Sequence, residues 1–82
     1  MRFTFDLHDI NASLLKSGQY EVQVRVSNDT VASICWIDET SRYKVSVNDQ
    51  GWWIVTQYST SISDVKRIIR GMRRYYQSGR SN

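Results

Sequence analysis

The sequence predicts an α+β fold, a two-layer sandwich in which a four-stranded antiparallel β-meander is flanked by an N-terminal and a C-terminal helix. Three observations predict it. Apolar residues recur at helical spacing near both ends, they alternate with polar residues through the middle, and short clusters of Asn, Asp, Ser and Gly punctuate the chain. Each helix then carries one apolar stripe and the meander needs one face covered, so layering helices on the sheet is the economical arrangement.

The first element is expected as a helix from about Leu7 to Ser17, because Leu7, Ile10 and Leu14 recur at i, i+3 and i+7. Asp6 suits its N-cap, Phe5 can staple onto Ile10, and Gly18 suits the left-handed position after its end. Met1 to Phe5 also alternates, the pattern of an extra short N-terminal strand. Tyr20, Val22, Val24 and Val26 alternate with polar residues as one strand with a single buried face. A two-residue turn at Asn28-Asp29 would pair Ser27 with Thr30 and place Val31, Ser33, Cys35 and Ile37 on that buried side. A turn at Glu39-Thr40-Ser41 would set Asp38 opposite Arg42 and bury Tyr43, Val45 and Val47. The turn from Asn48 to Gly51 would pair Val47 with Trp52 and bury Ile54. The last helix is expected from an N-cap at Ser61 to about Tyr76, with Gln77 to Asn82 as a frayed tail.

Eighty-two residues make one domain and exclude a two-domain enzyme. A 40 % hydrophobic and 23 % charged composition is that of a globular chain, and the complete absence of Pro argues against a linker. The single cysteine, Cys35, cannot close an intramolecular disulfide, which favours a cytoplasmic setting over a secreted one. The N-terminus has an acid where a signal peptide needs its apolar core, and no apolar run approaches the ~18 residues of a membrane helix. No membrane partner is expected.

No catalytic, metal or cofactor signature stands out. His8, the one histidine, lies between Asp6 and Asp9 and is expected as a solvated residue at a helix start. Cys35 is expected mid-strand on the buried face, where a thiol acts as a small hydrophobe. Asp38, Glu39 and Asp49 fall in hairpin loops, and the four glycines are scattered singly rather than grouped into a phosphate loop.

Charge carries the strongest functional signal. Residues 61 to 82 hold six bases and one acid, a local charge of +5, whereas residues 1 to 60 hold five bases and seven acids, or −2. At about 100° per residue, Lys66, Arg67, Arg70, Arg73 and Arg74 fill an arc of roughly 120°, separate from an apolar arc of roughly 140° formed by Ile62, Val65, Ile68, Ile69, Met72, Tyr75 and Tyr76. Arg in such number suits bidentate contact with phosphate or carboxylate, so nucleic acid (RNA or DNA) or an acidic protein surface is the expected partner. The second signal is the open sheet face. The registers above place Glu21, Gln23 and Arg25, Ile34 and Trp36, Arg42 and Lys44, and Trp53 and Val55 on it. An apolar patch rimmed by bases marks a binding or self-association surface.

In the order helix, strands, helix, with a basic second helix, the chain resembles double-stranded-RNA-binding domains, although it has one strand more. In size and composition it resembles the small regulators and inhibitors encoded by phages and mobile elements. The resulting expectation is a non-enzymatic module that binds nucleic acid through Lys66, Arg67, Arg70, Arg73 and Arg74, with Trp36 and Trp53 adding stacking. The alternative is a small protein-binding inhibitor or adaptor, possible as a homodimer, docking through Ile34, Trp36, Arg42, Lys44, Trp53 and Val55.

Overall fold

A computed structural model describes residues 4–17 and 21–78. A 3₁₀ turn, Leu7–Asp9, and a short helix α1, Ala12–Ser17, precede four strands: β1 (Val22–Arg25), β2 (Thr30–Ile37), β3 (Arg42–Asp49) and β4 (Trp52–Ser59). Helix α2, Ile62–Ser78, follows. The strands pair in sequence order, each antiparallel to the next, so the chain is an α+β meander between helices.

The N-terminal helix differs from the expected Leu7 to Ser17 segment. Ile10 is extended, and Asn11 starts α1 afresh, its Oδ1 accepting the Leu14 N–H at 2.9 Å. Asp6 makes no side-chain cap. Asn offers the backbone a competing local bond, which is why it begins helices better than it continues them. The break turns Leu7, Ile10 and Leu15 into the core, while Leu14 is only half-buried. The expected cap at Gly18, the start of the first strand at Tyr20 and most of the N-terminal alternation lie outside the described residues. Thr4 makes a single parallel bridge to Gln23, and the Phe5 N–H donates to the Gln23 carbonyl at 2.8 Å.

Both helices cover one face of the sheet. Leu7, Ile10 and Leu15 join Val22, Val24, Val26, Ala32, Ile34, Tyr43, Val45 and Val47 from the strands and Val65, Ile69 and Met72 from α2 in a continuous core. Ser61 caps α2 as expected, its Oγ accepting the Asp64 N–H at 3.1 Å. The helix runs beyond Tyr76 through Ser78, because the Gln77 amide is anchored on the Val26 carbonyl rather than frayed. Residues 79–82 of the expected tail lie outside the described residues.

The strand registers correct the sequence expectation. Val24 pairs with Ala32 and Val22 with Ile34, so the first hairpin has a three-residue loop, Ser27 to Asp29, in place of a two-residue turn. Ile37 pairs with Arg42, giving a four-residue loop from Asp38 to Ser41, with Ser41 at a φ of 54°. Each one-residue change turns a strand over. β2 therefore buries Thr30, Ala32 and Ile34, whereas the second slip restores Tyr43, Val45 and Val47 to the core. The third turn is tight: Gln50 and Gly51, at φ of 54° and 92°, link Asp49 to its partner Trp52. Two consecutive positive φ values match the twist of a hairpin, and Gly51 takes the second at no steric cost. A shift between Val47 and Asn48 then sets Val47 opposite Val55 and Asn48 opposite Trp53.

Candidate binding surface

The basic arc of α2 stands away from the core. Arg67, Arg70 and Arg74 are exposed, and Lys66 and Arg73 are half-buried at its margin. Asp64 is the one acid on the helix, and its carboxylate accepts both Nε (3.0 Å) and a terminal nitrogen of Arg67. That bond to Arg67, with a further hydrogen bond from Ser59, holds the Asp64 carboxyl below its ordinary range. Arg73 is fixed differently, its Nε donating to the Arg25 carbonyl at 3.1 Å.

These contacts join α2 to the tip of the first hairpin. Arg25, the loop from Ser27 to Asp29, Arg73, Tyr76 and Gln77 surround an open concavity of about 750 Å³. The Arg25 guanidinium reaches over it to the carbonyls of Ser27 (3.4 Å) and Asn28 (3.2 Å). Arg25 therefore extends the basic face beyond the helix. By strand alternation Arg25 belongs to the open sheet face, and the long-range contacts of Arg73 and Gln77 are what bring the end of β1 to α2. Arg70 and Arg73 also line a shallow pocket with Asp6, Leu7 and His8. The ligand atoms of Asp6, His8 and Asp9 lie within 4.8 Å of one another, but all three side chains are exposed, and exposed acids at a helix start are ordinarily solvated.

The expected open-face constellation divides. Glu21, Gln23, Arg25, Arg42, Lys44 and Trp53 lie on the uncovered face, by pairing with Ser33, Val31, Ile37, Cys35 and Asn48. Ile34, Trp36 and Val55 do not. Ile34 is fully buried under the helices because β2 is turned over. Trp36 is half-buried on the helix side, 4.8 Å from the Tyr43 ring, with Lys16 above it and its indole N–H donating to Asp38 at 2.6 Å. Val55 faces α2, because the irregularity after Val47 shifts the phase of β4. Cys35 takes the opposite place from that expected, half-buried on the open face beside Lys44. Partial burial, reinforced by Glu21 and opposed by Lys44, pushes its thiol up, so the unreactive thiol form is favoured.

β4 is more exposed than its expected register allows. Trp52 is 75 % exposed and Trp53 57 %, so Trp52 is not the buried member of the pair, and Ile54, Val55 and Tyr58 are exposed beside them. On α2, exposed Tyr75 and half-buried Ile68 line a groove with Val55, Gln57 and Gly71 along the same edge. The apolar run from Trp52 to Val55 was the available signal.

Among the described residues, no helix is long and apolar enough to cross a membrane. Comparisons of the chain with protein-family models, curated proteins and solved structures return no match.

Proposed function

We propose that this chain is a non-enzymatic binding module that holds a polyanion, nucleic acid first, on the basic face of α2. The observation that carries this reading is the segregation of charge on that helix: Arg67, Arg70 and Arg74 project from the arc opposite Val65, Ile69 and Met72, with Asp64 as the only acid. Arg67 to Arg74 covers about 10 Å of helix axis, which matches about three phosphates at the ~3.4 Å axial spacing of one strand. Arg25 and Arg73 continue the basic surface at the hairpin tip. Guanidinium forks bind phosphate oxygens in bidentate fashion, and such contacts confer affinity without sequence readout. A cytoplasmic setting, with its reduced thiols and abundant nucleic acid, suits this role.

The test is fluorescence anisotropy of labelled RNA and DNA, single-stranded and duplex, across a salt series. Affinity is expected to fall with salt at a logarithmic slope of about −3 to −5. Arg70→Glu with Arg74→Glu should abolish binding while leaving the circular dichroism spectrum unchanged, since both side chains are exposed. Failure of every probe to bind at low salt overturns the reading.

A second reading, association with protein, is favoured by a different observation, the exposed apolar run of β4.

A further inference from the structure

The two edges of the sheet are treated differently. At β1, Thr4 and Phe5 bridge to Gln23, Arg73 donates to the Arg25 carbonyl, and Gln77 donates to the Val26 carbonyl. At β4, from Trp52 to Ser59, the strand carries no charged residue and no Pro. Natural edge strands ordinarily carry such residues because an open ladder of N–H and C=O groups recruits another strand. The irregularity opposite Val47 and Asn48 is confined to the turn end.

The helix above is unfinished on the same side. The β4 flank of α2 presents Ile68, Gly71 and Tyr75 at helical spacing, with Arg67 at the rim of the same groove. A Cβ built at Gly71 meets nothing within 4 Å, so this flank is open.

We propose that β4 is a self-association edge, where two copies of the chain pair their β4 strands antiparallel about a two-fold axis into one eight-stranded sheet. A second copy fits better than an isolated strand from another protein. A lone strand would extend the sheet but leave its own inner face bare, whereas a second copy brings its own α2. Because α2 packs on both β3 and β4 before its last turns reach the end of β1, the part of it above β3 and β4 would sit roughly 5 Å from the axis at normal strand spacing, and the two helices would approach to about 10 Å there, the distance of packed helices. The Ile68, Gly71 and Tyr75 flanks would then cover each other, with Gly71 permitting close approach. The run is uncharged, so self-pairing sets no like charges opposite each other. Apolar surface for such a contact is present: Trp52, Trp53, Tyr58 and Tyr75 are 53 to 75 % exposed, which leaves roughly 500 Å² of ring surface per copy along this edge. Cross-strand and helix neighbours would cover part of it, with Ile54, Val55 and the backbone adding to it. This inference does not depend on nucleic-acid binding.

Sedimentation equilibrium of the full chain from micromolar to millimolar concentration tests it. The expected mass is twice 9.6 kDa, and Ile54→Lys with Tyr58→Lys should halve it while circular dichroism stays unchanged. Hydrogen exchange of the unsubstituted chain gives a second readout: β4 amides should be protected at high concentration and released on dilution. A chain that remains monomeric throughout, leaving β4 to a strand from another protein, overturns the proposal. So does a dimer that survives the double substitution, or β4 exchange that is independent of concentration.

Discussion

The side-chain amide of Gln77 donates to the Val26 carbonyl at 2.6 Å, fastening the last turn of α2 to the end of β1 across 51 residues of sequence. The bond satisfies an edge carbonyl at the close of β1 and orders a segment that composition alone marks as a tail. Its neighbour Arg73 makes the parallel contact one residue earlier in β1. Removing the amide by Gln77→Ala should lower stability by about 1 kcal/mol, the usual worth of a partly buried hydrogen bond, read as a shifted urea midpoint at constant slope. The same substitution should increase hydrogen exchange in the final turn of α2 more than in Val65 or Ile69.

The orientation of β2 gives a sharper test. Ile34 is fully buried and Ile37 half-buried on the opposite face, although an Asn28-Asp29 turn would reverse them. Ile34→Ala should therefore cost about 2–5 kcal/mol, whereas Ile37→Ala should cost distinctly less. Equal losses in urea denaturation, or a larger loss at Ile37, would contradict the register.

Element order and the core positions of β1, β3 and α2 were legible because their apolar residues recur with one clear period. Val22, Val24 and Val26 face one way whatever turn follows them. β2 reads Thr-Val-Ala-Ser-Ile-Cys-Trp-Ile, with apolar residues on both faces, so loop length alone decides its orientation. The deciding loops are one residue longer than their composition suggests, and Ser41 takes a left-handed conformation that its residue type does not announce. The basic arc was visible for the same reason as the core, since α2 holds a strict helical period. Its extension to Arg25 was not, because that depends on where α2 crosses β1.

Tryptophan accessibility follows from the corrected registers. Single-tryptophan variants should show Trp52 and Trp53 readily quenched by acrylamide, and Trp36 protected by Tyr43 and Lys16. If β4 self-associates, quenching of Trp53 should fall as protein concentration rises while that of Trp36 stays constant. Strong quenching of Trp36 in a folded chain would contradict its place beside α1.

Asp64 supplies a pH dependence of defined sign. Arg67 and the Ser59 hydroxyl bond its charged form, so its folded value is depressed below 3.8. A depressed carboxyl binds fewer protons in the folded than in the unfolded state, and the stability it contributes is present above the ordinary carboxylate value. That stability is lost as pH falls through the lower folded value. Asp64→Asn should thus unfold at lower urea than the parent at pH 7, and the gap should close progressively in acid, below about pH 4. Salt should narrow the gap at neutral pH, because Arg67 and Asp64 meet at the surface and their attraction is screened. Arg67→Met should produce the same pH-dependent loss, for without the guanidinium the principal cause of the depression is gone. A gap between parent and Asp64→Asn that persists unchanged at pH 2 would show that the carboxylate charge has no part in anchoring the first turn of α2.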